Sequence, residues 1–169
     1  MLTIRRATES DWDAIWPIFH AVVREGDTYS YSPATTKEQG RALWMTPQGT
    51  TYVACHGEQV VGTYFLKPNQ PGLGSHVANA GYMVDPGEAG RGVGRAMCEH
   101  SLDEARRAGF FAMQFNFVVS TNTRAVALWQ KLGFQIAGTL PKAFRHQQRG
   151  LVDVYVMYRL LGEEEEERT

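Results

Sequence analysis

The chain carries near its centre the glycine-rich segment Val84-Asp85-Pro86-Gly87-Glu88-Ala89-Gly90-Arg91-Gly92-Val93-Gly94-Arg95-Ala96. The apolar residues before it predict a strand that ends at Val84, and the pattern after it predicts a helix over about 93–108. Such a turn presents unpaired backbone N–H groups at the positive end of a helix, and Arg91 and Arg95 add positive charge. The segment therefore predicts a pyrophosphate site, with a plain strand-to-helix connection as the alternative.

The spacing of the glycines separates this turn from two common nucleotide-binding loops. A P-loop needs Gly-x-x-x-x-Gly-Lys-Ser/Thr, and no lysine follows the glycines here. A dinucleotide-binding fold needs Gly-x-Gly-x-x-Gly in its first strand–helix unit, whereas this turn follows several predicted strands. The sequence therefore indicates a phosphate ligand that is bound in another way.

Hydrophobic periodicity on both sides of the turn predicts an α/β fold of the mixed α+β kind. Strands are expected at Leu2–Ala7, Thr51–Cys55, Gln59–Leu66, His76–Val84, Phe110–Val118, Phe134–Thr139 and Leu151–Leu160. Helices are expected after Ser10, after Thr36, after the glycine turn and after Thr121, and residues 140–150 are expected to form a loop. Antiparallel hairpins followed by β-α-β units predict a mixed six- to seven-stranded sheet with helices on both faces.

The composition fits one domain, since 169 residues with 43% hydrophobic side chains can build a core. We predict a domain over residues 1–162 and a disordered acidic tail over 163–169, because Glu163–Glu167 is a run of acids. Without that run the chain is mildly basic, which suits one anionic ligand better than nucleic acid. Scattered histidines, two cysteines without paired spacing and the lack of a long apolar run predict a cytoplasmic domain with no metal, disulfide, membrane or nucleic-acid partner.

Two motifs and the order of elements resemble the GNAT superfamily of acyl-CoA-dependent N-acetyltransferases. Gly92 and Gly94 match the glycines of that family's pyrophosphate motif, Gln/Arg-x-x-Gly-x-Gly/Ala, and a second match reads Asn122-x-x-Ala125-x-x-Leu128-Trp129-x-x-x-Gly133-Phe134. The resemblance implies acetyl-CoA as co-substrate, bound by Tyr82, Met83, Val84, Ala89, Gly90, Arg91, Gly92, Val93, Gly94, Arg95, Ala96, Asn122 and Trp129. It also implies that a splayed strand offers a backbone N–H to the thioester, which we assign to Met83.

The chain departs from the family pattern at two positions. Ala89 stands where the family usually has Gln or Arg, so Arg91, Arg95 and backbone amides must hold the phosphates. Trp129 stands where many members have a tyrosine that protonates the departing thiolate. An indole N–H is a hydrogen-bond donor but no acid near neutral pH, so that proton must come from another group or from water.

A closer resemblance, to the fungal N-acetyltransferases that modify toxic proline analogues of the azetidine-2-carboxylate type, lies around Asn116-Phe117-Val118-Val119-Ser120-Thr121-Asn122. By that resemblance Asn116 engages the substrate amine, Asn122 touches the coenzyme, and Asn79 belongs to the substrate pocket. On a strand with a period of two, Asn116 shares a face with Gln114 and Val118, where its amide oxygen is able to accept from the amine. A purely structural asparagine is the alternative.

Further candidates for the acceptor site are Asp27, Thr28 and Tyr29, in a loop where GNAT proteins close the pocket, and His146, whose ordinary pKa suits a base or an acid. A solvated loop and a surface histidine are the alternatives. We expect an enzyme that acetylates the amine of a small molecule, an amino acid or an analogue. A protein or antibiotic amine, a non-catalytic acyl-CoA sensor, and a homodimer rather than a monomer stay open.

Overall fold

A computed structural model describes residues 1–162, so the predicted acidic tail lies outside the described residues. Seven strands and four helices follow one another in the predicted order β-α-α-β-β-β-α-β-α-β-β. The strands are β1 Leu2–Arg6, β2 Thr50–His56, β3 Gln59–Pro68, β4 Val77–Val84, β5 Ala112–Val119, β6 Gln135–His146 and β7 Gly150–Leu160. The helices are α1 Trp12–Glu25, α2 Lys37–Trp44, α3 Val93–Arg107 and α4 Thr123–Lys131.

The strands form one mixed sheet in the order β1-β2-β3-β4-β5-β7-β6. All neighbours are antiparallel except β4 and β5, which are parallel. That parallel ladder joins only Val77–Asn79 to residues 112–114, and the two strands then part. The predicted mixed sheet with helices on both faces is confirmed, and its centre is open at one end.

Each face of the sheet carries its own core. The apolar side of α3, with Met97 and Leu102, packs with α4 on one face. The aromatic side of α1 and Trp44 of α2 pack on the other face. The capping box predicted at the start of α2 is present, because Thr36 accepts from the Gln39 backbone N–H. No helix within residues 1–162 has the length and apolar character that crossing a membrane requires.

The structure corrects two predicted elements. Residues 140–146, predicted to be part of a loop, continue β6, and a bulge between Leu140 and Phe144 interrupts its pairing with β7. Lys142 lies in the bulge with a φ of 53° and its N–H donates to the Asp153 carboxylate. The bulge breaks the period of two by which a strand is detected. Helix α4 begins after Asn122 rather than after Thr121.

The buried hydroxyl of Thr63 ties three elements together. It accepts from the Trp44 indole N–H at 3.0 Å and donates to the Tyr52 carbonyl at 2.8 Å. We predict that Thr63→Val, which keeps the shape of the side chain, lowers the free energy of unfolding by about 1–3 kcal/mol because the indole N–H loses its buried partner. Urea denaturation measures this loss, and a change in midpoint that corresponds to less than about 0.5 kcal/mol would contradict it.

Candidate active site

The parting of β4 and β5 opens a cleft of about 200 Å³ between the two strands. The loop between α1 and α2 covers one side of the cleft, and the start of α4 closes another. Its walls are Thr28, Tyr29, Ser30, Tyr31, Phe65, Asn79, Ala80, Gly81, Tyr82, Phe115, Asn116, Phe117, Val118, Val119, Asn122, Ala125 and Trp129. Seven of the residues singled out from the sequence therefore meet here: Thr28, Tyr29, Asn79, Tyr82, Asn116, Asn122 and Trp129.

The hydrogen-bonding phase of β4 decides which backbone groups face the cleft. Asp85 N donates to Val61 O at 2.8 Å, and Asn69 N donates to Val77 O at 2.8 Å, so the odd-numbered residues of β4 bond to β3. Successive residues of a strand direct their backbone N–H and C=O groups to opposite edges, so the even-numbered residues of β4 direct theirs away from β3 and toward β5. The N–H groups of Tyr82 and Val84 consequently face the opening beyond the end of the β4–β5 ladder.

The assignment of a catalytic backbone N–H to Met83 is therefore wrong by one residue. Met83 lies opposite Thr63 of β3, and its side chain is buried against α1 and α2. Its backbone N–H is used within the β3–β4 ladder. The donor that can reach a ligand in the cleft is the N–H of Tyr82, which the sequence analysis placed only among the coenzyme contacts.

Tyr29 fastens the covering loop to the floor of the cleft. Its hydroxyl donates to the main-chain oxygen of Tyr82 at 2.8 Å, and its ring stacks on Tyr31 with centroids 5.6 Å apart. Gly81 makes this contact possible, because a Cβ there would lie 3.1 Å from the Tyr29 hydroxyl and 2.7 Å from the Phe65 ring. Burial raises the pKa of Tyr29, so the phenol stays neutral and keeps its role as donor.

The glycine-rich turn at the end of β4 has the open geometry of an anion site. Gly90 and Gly92 have φ values of 79° and 81°, which favour glycine, and a Cβ at Gly92 would meet nothing within 4 Å. Gly92 is the N-cap of α3 and provides no side-chain cap, so the first N–H groups of the helix are free for a ligand. Ala89 precedes these glycines and Val93 begins the helix, as the sequence predicts.

The arginines around this turn differ in how strongly they are engaged. Arg91 lies 3.6 Å from Glu88, and Arg95 donates to Glu99 at 3.0 Å. Arg124 of α4, which the sequence analysis missed, approaches Gly90 closely enough that a Cβ there would lie 3.5 Å from its guanidinium. Arg124 is the second residue of α4, and α4 starts beside the same turn. A basic residue directly after the Asn122 motif is the signal in the sequence that indicates this arginine.

Asn116 is held in a chain of side-chain amides. Gln114 Nε2 donates to Asn116 Oδ1 at 2.9 Å, and Asn116 Nδ2 donates to Asn69 Oδ1 at 2.6 Å. The expected alignment with Val118 is wrong, because a bulge between Phe115 and Val118 shifts the register of β5 and turns Val118 toward the core that contains Phe115. Asn69 lies in the loop before β4, where the sequence carries no sign of this contact.

The remaining cleft residues have distinct local roles. Asn79 is largely buried and donates to the Gln114 carbonyl at 3.0 Å, at the last rung of the β4–β5 ladder. Asn122 forms no side-chain cap to α4, although its main chain starts the helix, so its amide is free toward the cleft. Trp129 packs against Tyr82 and Phe115 with centroids 5.1 Å and 5.2 Å apart.

Two predicted acceptor residues lie outside the cleft walls. His146 is buried at the end of β6, and its Nδ1 accepts from the backbone N–H groups of Gln148 and Arg149. The ring therefore shapes the β6–β7 hairpin and has no lone pair on Nδ1 for a substrate. Asp27 belongs to the covering loop but does not line the cleft. The hairpin touches that loop, since Gln147 N donates to Gly26 O at 3.2 Å.

Known proteins share this architecture and parts of this sequence. A sequence model described as the acetyltransferase (GNAT) family matches residues 12–134. The solved structure of a GCN5-related N-acetyltransferase from Kribbella flavida is 50% identical with a TM-score of 0.90, covering 94% of this chain and 97% of that chain.

Two curated relatives extend the comparison. The N-acetyltransferase aca1 of Schizosaccharomyces pombe is 38% identical over 98 residues, 57% of this chain and 47% of its own, so this chain spans about half the length of that relative. The L-methionine sulfoximine/L-methionine sulfone acetyltransferase of Salmonella typhimurium is 26% identical over 157 residues, 83% of this chain and 84% of its own.

The raised pKa of Tyr29 makes stability depend on pH in a defined window. A tyrosine in the unfolded chain ionises near pH 10, whereas the folded chain keeps Tyr29 protonated. The contribution of Tyr29 to the free energy of unfolding is therefore complete below pH 10 and is lost as the pH rises further. We predict that Tyr29→Phe is less stable than wild type at pH 8 by about 1 kcal/mol, through the lost hydrogen bond. This difference should shrink by roughly 1.4 kcal/mol per pH unit above pH 10. Urea denaturation at pH 8, 9, 10 and 11 tests this, and a constant difference would contradict it.

Proposed function

This chain belongs to the acetyltransferase (GNAT) family, and we propose that it moves the acetyl group of acetyl-CoA directly to the amine of a small amino acid or amino-acid analogue. The observation that carries the proposal is the parting of β4 and β5, which leaves the backbone N–H groups of Tyr82 and Val84 facing a cleft beside a glycine-rich helix start. The Salmonella typhimurium relative, named for two methionine derivatives and matched over most of its length, supports an amino-acid-like acceptor. The S. pombe relative agrees with the resemblance to fungal acetyltransferases.

Charge and free hydrogen-bonding groups support the placement of the coenzyme along the glycine-rich turn and the cleft. The free N–H groups at the start of α3, with Arg91, Arg95 and Arg124 around them, suit the pyrophosphate. The peptide groups of Tyr82 and Val84 suit the amides of the pantetheine arm and the thioester. Asn122, Ala125 and Trp129 form the opposite wall, so the acyl group would reach the middle of the cleft between Tyr82 and Asn116.

Transfer requires a neutral amine that attacks the thioester carbonyl and a donor for the oxyanion that forms. The Tyr82 N–H is the fixed donor in this cleft, and a preorganised backbone donor acts without rearrangement as charge develops. The pairing of Gly81 with Phe65 in the β3–β4 ladder holds the peptide group that carries this N–H, and Tyr29 holds the next peptide group through the Tyr82 carbonyl, so both are oriented before substrates bind. Asn116 Oδ1 keeps one lone pair beyond the bond from Gln114, and it would orient the amine.

Proton movement in this cleft depends on neutral groups. The side chains on its walls are aromatic rings, amides, hydroxyls and aliphatic groups, and burial raises the pKa values of Tyr29, Tyr31 and Tyr82. The amine would therefore attack in its free-base form. As the C–N bond forms and the C–S bond breaks, the nitrogen gives up one proton and the departing thiolate takes up one, and water in the cleft would carry that proton from one to the other. Positioning of two bound reactants then supplies most of the acceleration.

The direct experiment is thiol release from acetyl-CoA in the presence of an amine panel. The panel contains L-methionine sulfone, azetidine-2-carboxylate, an aminoglycoside and a short peptide with a free N-terminus. Acetylation of an amino acid or analogue at the highest kcat/KM supports the proposal. Preference for the peptide or the aminoglycoside would instead support a protein or antibiotic acceptor. Acetyl-CoA binding without turnover on any amine would identify a sensor and refute the proposal.

The pyrophosphate assignment predicts a specific effect of one added methyl group. A Cβ at Gly92 projects into the open space above the start of α3, where the phosphate would approach. We predict that Gly92→Ala weakens acetyl-CoA binding by about 10-fold or more, since about 1.4 kcal/mol of lost contact gives that factor. Isothermal titration calorimetry measures the dissociation constant.

Gly109 offers the matched control for backbone strain. It follows the opposite end of α3 with a φ of 84°, and a Cβ there would likewise meet nothing within 4 Å. Gly109→Ala should therefore lower the melting temperature about as much as Gly92→Ala does, while acetyl-CoA affinity stays unchanged. Equal acetyl-CoA affinities of the two variants would contradict the assignment of the pyrophosphate to this turn.

The amine contact predicts a kinetic split between two asparagines. An interaction made mainly in the transition state lowers kcat with little effect on KM, so Asn116→Ala should lower kcat by about 10- to 1,000-fold while the KM for acetyl-CoA stays within a few-fold. Asn122→Ala should weaken acetyl-CoA binding more than it lowers kcat. Steady-state kinetics with each substrate varied in turn measures both. A kcat of Asn116→Ala equal to that of wild type would show that Asn116 has a structural role and does not contact the amine.

A further inference from the structure

Lys67 stands beside the cleft on β3, in direct register with a residue of the cleft wall. Its cross-strand partner is Asn79, and Phe65 pairs in the same way with Gly81. Because directly opposed residues of a sheet project to the same face, Lys67, Asn79 and Phe65 all lie on the face that α1, α2 and the covering loop pack against. Asn79 and Phe65 both line the cleft, whereas Lys67 lies next to them in the sheet and is not itself one of the wall residues.

The side chain of Lys67 extends along β3 toward Phe65, and so toward the part of the cleft beside Tyr82. Its Nζ lies over the Phe65 ring, 5.3 Å from the centroid. Phe65 pairs with Gly81, the residue before Tyr82, so the charge lies on the strand next to Tyr82 and close to it along the chain direction. The N–H of Tyr82 is the one that we propose to contact the thioester. The contact with the ring fixes the direction of an otherwise flexible side chain.

Lys67 is a half-buried residue, and its ammonium group forms no ion pair with the described side chains. None of the ion pairs between side chains of residues 1–162 involves Lys67. In the next two strands across the sheet, its register partners are amides, first Asn79 and then Gln114, which is bonded to Asn116. The other cations described at this site, Arg91, Arg95 and Arg124, surround the glycine turn at the coenzyme end.

A carboxylate that entered the neutral cleft would therefore find the Lys67 ammonium as a counter-charge beside Phe65. Amides can donate to a carboxylate, but a desolvated anion is stabilised most by a nearby cation. In an α-amino acid the amine and the carboxylate are attached to the same carbon. An amine held near Asn116 and Tyr82 would place the carboxylate toward Asn79 and the Lys67 ammonium.

We propose that Lys67 is a specificity-determining residue that binds the carboxylate of the acceptor, so that this site selects α-amino acids over amines without a carboxylate. The inference rests on the proposed acetyltransferase function and names the acceptor feature that the site reads. Asn79 would add one amide donor to the same carboxylate, since its side chain already lies between Lys67 and Gln114.

The test compares L-methionine sulfone with its α-carboxamide, which keeps the amine and the side chain but removes the charge. We expect wild type to have the lower KM for the acid. We expect Lys67→Met to raise that KM by about 10- to 100-fold, the range for losing a hydrogen bond to a charged group, with kcat nearly unchanged. The KM for the carboxamide should stay within about two-fold, and Lys67→Arg should restore preference for the acid.

Lys131→Met is the matched control, because Lys131 is an exposed lysine at the end of α4, which packs on the opposite face of the sheet from Lys67. It should behave as wild type with both acceptors, and all variants should bind acetyl-CoA equally by titration calorimetry. An unchanged ratio of the two KM values in Lys67→Met, or acetylation only of amines that lack a carboxylate, would overturn the role of Lys67 and leave the acetyltransferase function intact. Acetyl-CoA binding with no acetylation of any amine would overturn both.

Discussion

The short parallel ladder between β4 and β5 is the constraint on which the functional part of the molecule depends. Backbone N–H and C=O groups in a sheet need partners, and beyond Asn79 the neighbouring strand is no longer there to supply them. The antiparallel pairing with β3 continues to Val84, while the other edge of β4 is left open. A ligand with its own amides and carbonyl can therefore take the place of a strand.

Charge is distributed unevenly around this opening. Cations gather where the glycine turn meets α3 and α4, whereas the middle of the cleft is built from aromatic rings and amides. Low polarity in the middle strengthens each hydrogen bond made there, and it keeps Tyr29 and Tyr82 protonated. The end of the cleft at the glycine turn is therefore suited to an anion, and the middle is suited to a neutral amine.

Much of the fold can be predicted from local patterns, because apolar periodicity, caps and glycines act within a few residues of each other. The details of the site depend on register, which has no local signal. A bulge after Phe115 moves Val118 away from the face of Asn116, and the phase of the β3–β4 ladder gives the open N–H to Tyr82 rather than to Met83. The contact of Tyr29 with β4 joins residues 53 positions apart, and only Gly81 hints at it.

The hydrogen bonds that link the amides of Gln114, Asn116 and Asn69 can run in either direction. Each primary amide carries an oxygen and an NH₂ group on the same carbon, so turning all three over preserves both hydrogen bonds and exchanges every donor for an acceptor. The two arrangements differ in which atom of Asn116 keeps spare capacity on each side. On the side that faces Gln114, the spare lone pair of the Asn116 oxygen is replaced after reversal by a spare N–H of its NH₂ group, so one side chain offers either an acceptor or a donor at the same place.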